Sequence, residues 1–237
     1  MTVYSPRRVA VVTGANRGLG LAIARGLAER GLLVVITARD ERAAQAVADD
    51  LTADGLAASG HQLDVTDPAS VARCFADVAK QVGCLDVLVN NAGIAIDRGQ
   101  PAAAPDFEKV RATLDANLLG AWRCCAVAIP EMRKGGYGRI VNITSHLGSL
   151  TTMGDKNVSY RVSKAGLNAL TRVLATELDG TGILVNAASP GRMNTRMAYG
   201  ETDRTSEQGA DTPIWLATLP EDGPTGGLFY DRKPLPW

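Results

Sequence analysis

The sequence predicts an α/β fold, a single doubly wound parallel sheet of seven strands with helices on both faces. Three observations predict it. Short apolar runs alternate with longer amphipathic segments along the whole chain. Most runs are rich in Val, Ile and Leu without polar alternation, which suits strands buried on both faces. The first run ends in a glycine-rich turn that opens a helical pattern. Such alternation builds right-handed βαβ units.

The elements follow in order. The first strand is expected at 9–13, four apolar residues closed by Thr13, with a helix near 18–30. The Leu/Val/Ile run at 32–37 is the second strand and leads to a helix near 41–54. The third is placed at 62–65, around Leu63 and Val65, before a helix near 68–81. The fourth, 85–90, ends in Asn90 and precedes one long helical pattern at 106–133. The fifth, 139–144, runs into Ser145, with a helix near 159–178 beyond it. The sixth, 183–187, leads through Pro190 and Gly191 to a helix near 206–218, and 228–230 is the seventh. No linker or repeat interrupts the series, so one domain over 1–237 is expected.

Composition narrows the function. Hydrophobic residues make up 46% and charged residues 21%, as in a soluble globular protein. Lys+Arg and Asp+Glu are 25 each, a balance that argues against a protein coating nucleic acid or anionic lipid. The cysteines Cys74, Cys84, Cys124 and Cys125 form no CxxC pair, and the two histidines do not cluster, so no metal site is expected. The first ten residues hold no apolar signal core, and no run approaches a membrane span. Free thiols without an export signal point to the cytoplasm.

Thr13-Gly14-Ala15-Asn16-Arg17-Gly18-Leu19-Gly20 joins the first strand to its helix. Glycines there let the backbone turn tightly and approach a pyrophosphate at a helix N-terminus. The second strand leads to Thr37-Ala38-Arg39-Asp40. Arg39, with Arg17 in the glycine turn, would favour a ribose 2′-phosphate and so NADP(H). The competing assignment makes Asp40 a ligand of the ribose hydroxyl, as in NAD sites.

Tyr160 and Lys164 are four residues apart, hence on one helix face. A tyrosine needs its pKa lowered by about 3 units, roughly 4 kcal/mol, to exchange protons near pH 7. A neighbouring ammonium acts in that direction. Ser145 closes the fifth strand, at the sheet end where ligands bind in open α/β sheets, and its hydroxyl can hold a carbonyl oxygen.

These motifs resemble those of the short-chain dehydrogenase/reductase family, with its Rossmann fold, across essentially the whole chain. The matching segments are 13–20, Leu63-Asp64-Val65, Asn90-Asn91-Ala92-Gly93, Asn117, Ser145, Tyr160 with Lys164, and Pro190-Gly191 with Thr195. The resemblance implies a strand order of 3-2-1-4-5-6-7, a cofactor half at about 1–140 and a catalytic half at 141–237. It implies NADPH/NADP+ held by Gly14, Asn16, Arg17, Gly18, Leu19, Gly20, Arg39, Asp64, Val65, Asn91, Ala92, Gly93, Tyr160, Lys164, Pro190, Gly191, Met193 and Thr195. In it Tyr160 is the general acid, Lys164 lowers its pKa and binds the nicotinamide ribose, and Ser145 orients the carbonyl. Asn117 interrupts a helix and holds a water leading to Lys164.

Within the family, 61–64, 37–40 and the ending through 210–213 to Trp237 are most similar to NADPH-dependent carbonyl reductases. Monomeric animal members carry a long insertion between serine and tyrosine, whereas only fourteen residues separate Ser145 from Tyr160 here. Val162, Ala165, Leu167, Ala169, Leu170, Val173 and Leu174 then supply apolar surface for a homodimer or homotetramer, although some of them must face the sheet. The substrate walls are expected from Ile94 and Ile96, from 146–153 with His146 and Met153, and from 193–199 with Met193 and Met197. They suggest a mainly apolar pocket for a small-molecule carbonyl such as a quinone or aromatic ketone. His146 is read as a hydrogen-bonded loop residue, with acid–base work as the alternative. Three readings follow: an NADPH-dependent carbonyl reductase (3-oxoacyl or polyketide carbonyls included), the same chemistry run backwards as an alcohol or hydroxysteroid dehydrogenase, and an NADP sensor without turnover.

Overall fold

The fold is that of a computed structural model, which describes residues 7–193 and 204–237. β1 (Val9–Val12), β2 (Leu33–Ala38), β3 (Ala58–Gln62), β4 (Val87–Asn90), β5 (Gly138–Ile143), β6 (Ile183–Ala188), β7 (Leu228–Tyr230) and β8 (Lys233–Pro234) form one sheet in the order β3-β2-β1-β4-β5-β6-β7-β8. The first seven strands are parallel, as expected. The eighth was not expected: Lys233 and Pro234 turn back and pair antiparallel with Tyr230 and Phe229. A two-residue exposed strand carries no periodicity, so nothing local marks it.

Two helical layers cover the sheet. Ala10, Val12, Val34, Ile36, Val87 and Val89 pack with α1 (Gly18–Ala28), α2 (Glu41–Ala53) and α7 (Ser206–Ala217). Val9, Val11, Val35, Leu88, Ile140 and Val185 point the other way, against α3 (Pro68–Val82), α5 (Gly120–Gly135) and α6 (Val158–Glu177). The period-two alternation of side chains divides each all-apolar strand between two cores.

Two boundaries differ from expectation. The sequence pattern puts the third strand at 62–65, but β3 runs Ala58–Gln62, paired with Val34–Ala38. Its five residues are only half-buried, so it lacks the apolar run that marks inner strands. Asp64 instead makes a turn, its carboxylate accepting from the Thr66 amide and hydroxyl. The long helix at 106–133 is divided into α4 (Phe107–Leu114), a π turn at Asp115–Leu119 and α5. The π turn centres on Asn117, whose amide bonds Ile94 and Ser163 rather than its own helix.

Candidate active site

The glycine turn between β1 and α1 is held from three sides. Thr13 Oγ1 accepts the Asn91 and Ala92 amides at 2.9 Å, and Asn91 Nδ2 donates to the Thr13 and Gly14 carbonyls. Gly14 has φ +63°, open to glycine at little strain. A Cβ on Gly20 would lie 2.5 Å from the Gly14 carbonyl, so only glycine lets helix and strand approach so closely. At Gly18 a Cβ would meet nothing within 4 Å.

The N-cap of α1, Arg17, makes no side-chain capping bond, and its first turn holds no acid. By contrast α2, α3, α4 and α7 are capped by Asp40, Asp67, Asp106 and Thr205. An open helix end with orphan amides, approached over glycines, fits an anionic pyrophosphate. Arg17 and Arg39 are both exposed, able to meet a further phosphate. Arg39 is close enough to help hold the Asp64 carboxyl below its usual range; burial opposes this, while the Thr66 hydrogen bonds and the Arg39 charge outweigh it. Asp40 Oδ1 accepts the Arg42 amide, so this carboxylate also caps α2.

Lys164 lies where β5 ends against α6, on the helix that also carries Tyr160. Lys164, one of the most buried charged residues, donates to the Ile143 carbonyl at 2.8 Å. Burial pushes its pKa down to about 8. Its ammonium lies 5.7 Å from the centre of the Tyr160 ring. Thr144 Oγ1 donates to the Lys164 carbonyl, and a Cβ on Gly148 would sit 2.8 Å from Lys164 Cβ, so the turn after Ser145 rests directly on α6. Ser145 Oγ accepts the Leu147 amide, which leaves its own proton able to donate to a substrate oxygen. Asn117 and Lys164 also converge on Gly93, where a Cβ would lie 3.0 Å from Asn117 Oδ1 and 3.6 Å from Lys164 Nζ. Both Asn117 Nδ2 protons go to the Ile94 carbonyl and Ser163 Oγ, and Oδ1 accepts the Ile94 amide.

Other expected residues fall as follows. Val65 is buried against Gly120. Pro190 is buried and Gly191 (φ +76°) lies against Tyr230 and Arg204. The Met193 side chain packs into the core against Gly209. Ile96, Leu150 and Met153 are exposed on the loops after β4 and β5. Thr195, Met197 and Tyr199 lie outside the described residues. His146 Nδ1 is 2.7 Å from Ser189 Oγ, and its ring meets Tyr230 edge-on at 4.5 Å. Burial pushes its pKa down, with the Asp231 charge acting against it. Among the described residues no group of three metal-ligating side chains occurs, and no helix is long and apolar enough to cross a membrane.

Sequence reasoning missed Asp97 and Ser189. Asp97 accepts backbone amides of the first turn of α6 from 62 residues away, and Ser189 engages His146 across 43. Neither stands in a motif, and no local pattern would have found them.

A glycine turn at one strand end and a Tyr–Lys pair against another fit the doubly wound α/β class, whose ligands bind beyond the strand ends. The family model for short chain dehydrogenases matches residues 8–206, and the chain belongs to that family. Carbonyl reductase (NADPH) 3 of Mus musculus is 37% identical over 276 aligned positions, covering 97% of this chain and 98% of its own. Carbonyl reductase (NADPH) 1 of the same species is 34% identical, covering 98% and 99%. Both alignments exceed the 237 residues of this chain, so these relatives carry segments it lacks. A solved gluconate 5-dehydrogenase from Burkholderia cenocepacia J2315, in complex with NADP and tartrate, superposes with a TM-score of 0.84 at 28% identity, covering 94% of this chain and 92% of the other.

Proposed function

We propose that the protein is an NADPH-dependent reductase of apolar ketones or quinones, with Tyr160 as general acid. The observation that carries this is the buried Lys164 held 5.7 Å from the Tyr160 ring against the end of β5. NADPH, when bound, supplies the hydride that goes to the carbonyl carbon. The phenol of Tyr160 gives its proton to the carbonyl oxygen, so the product is an alcohol. Ser145 donates a hydrogen bond to that oxygen as negative charge builds on it. Lys164 favours the phenolate left behind. Gly14, Gly18 and Gly20 admit the pyrophosphate, and Arg17 and Arg39 the 2′-phosphate. Ile94, Ile96 and Met153 form apolar walls.

The carbonyl reductase relatives support this direction. The gluconate 5-dehydrogenase neighbour supports a second reading, the same transfer run towards the ketone. The test follows NADPH oxidation with quinones, aromatic ketones, steroid ketones, 3-oxoacyl thioesters and small aldehydes, alongside NADH and a Tyr160→Phe variant. Turnover with NADPH that the variant abolishes while still binding NADPH supports the reductase. NADPH binding without turnover of any carbonyl, or a variant as active as the wild type, overturns it.

The protein is further proposed to work in the cytoplasm as a homodimer or homotetramer. Val162 and Val173, three turns apart on the outer face of α6, are 51% and 61% exposed, and Trp122 on α5 is 51% exposed. Leu167, Leu170 and Leu174 are the members of the apolar run at 162–174 that face the core.

A further inference from the structure

We infer that Asp97 is a positioning residue for Tyr160, capping the first turn of the catalytic helix from the loop after β4. The inference rests on the reading of Tyr160 as general acid.

Helix α6 begins without a cap of its own. Asn157, at the N-cap position, is left-handed (φ +57°) and makes no side-chain bond to the helix. The orphan amides of Ser159 and Tyr160 are instead taken by Asp97 Oδ2, at 2.7 and 3.3 Å. These are the second and third helical positions, which a good N-cap side chain normally serves. Asp97 is 2% exposed, so water cannot readily replace it. A buried acid at this end of the helix also meets the positive pole of the helix dipole.

The link is reciprocal. Asn157 Oδ1 reaches back and accepts the Gly99 amide at 3.1 Å. The loop that carries Ile94 and Ile96 is thereby joined to the turn that carries Tyr160 by bonds in both directions. Lys164, one turn further on, has a separate anchor in the Ile143 carbonyl. The two members of the pair are therefore held by different contacts. Loss of the Asp97 bonds would loosen Tyr160 while Lys164 and the glycine turn stay in place.

The inference separates kcat from binding. In Asp97→Ala, kcat for the carbonyl of the panel that turns over fastest falls between about tenfold and a hundredfold. Its KM and the Kd for NADPH, read from nucleotide fluorescence, stay within about twofold of wild type. Asp97→Asn keeps an acceptor oxygen and restores kcat to within about threefold. Asp97→Glu keeps the carboxylate on a longer arm, so kcat falls while the fold is kept, and this variant decides the matter if Asp97→Ala does not fold. Thermal melting accompanies each variant. Folded Asp97→Ala or Asp97→Glu with wild-type kcat overturns the inference, as does a folded Asp97→Asn as slow as Asp97→Ala. Tyr160→Phe is assayed alongside: its full activity would remove the general-acid reading itself, whereas an inactive Tyr160→Phe beside a fully active Asp97→Ala removes only the role of Asp97.

Discussion

The Lys164 ammonium donates to the Ile143 carbonyl at 2.8 Å, tying α6 to the last residue of β5. The bond holds the charge in place, but burial still disfavours it, and the lysine pKa falls from 10.5 to about 8. Between those values the unfolded chain keeps a proton that the folded chain has released. Stability therefore rises with pH across that window, and below it the folded protein carries the full burden of a buried charge. Lys164→Met removes the burden along with turnover. The stability of the variant relative to wild type should be greatest near pH 7 and shrink by about 3 kcal/mol towards pH 10.5. Urea unfolding across that range measures it, and a difference constant with pH refutes it.

Exposed Arg17 and Arg39 flank the open end of α1 and the end of β2. A charge-assisted bond to a phosphate contributes about 1.5–3 kcal/mol. Arg39→Asp should weaken NADPH binding between about tenfold and a hundredfold and leave NADH little changed. Dissociation constants for both nucleotides check this; a variant with wild-type preference would return the ribose to Asp40.

Gly20→Ala places a methyl 2.5 Å from the Gly14 carbonyl, a backbone atom that cannot swing away. The expected result is a loss of about 1–3 kcal/mol in stability together with weaker NADPH binding. Gly31→Ala, whose Cβ would meet nothing within 4 Å, is a control at a left-handed glycine beyond the far end of α1 and should leave NADPH binding unchanged.

All four cysteines are free thiols. Burial raises the pKa of Cys74 and Cys125 to about 12, and raises those of Cys84 and Cys124 as well. A disulfide reagent at pH 7.5 should react slowly with the folded protein and rapidly with all four thiols in denaturant. Rapid modification of the native protein would contradict the buried packing of the Cys124–Cys125 pair.

On the outer face of α6, Val173→Lys should yield monomers by light scattering at micromolar concentration, with the melting temperature of the monomer little altered because the side chain is 61% exposed. A wild-type protein that is already monomeric refutes the oligomer.

Much of this was legible locally. The glycine turn, the all-apolar inner strands and the Tyr160–Lys164 spacing depend on backbone periodicities that act over a few residues, so their signals lie within short windows. The parallel sheet follows, because strands buried on both faces need helices above and below. The edge of the sheet was decided elsewhere. Ala58–Gln62 is a strand because it pairs with β2, and close packing of α2 over Gly60 selects that stretch rather than the more apolar 62–65. The π turn at Asn117 arises because its amide has better partners in Ile94 and Ser163. Met193 turns inward because Gly209 leaves room for its sulfur. Above all, Asp97 caps a helix 62 residues further along the chain. A hydrogen bond depends on where two atoms stand in space, and for partners so distant in sequence only the complete packing of the sheet and its helices sets that distance.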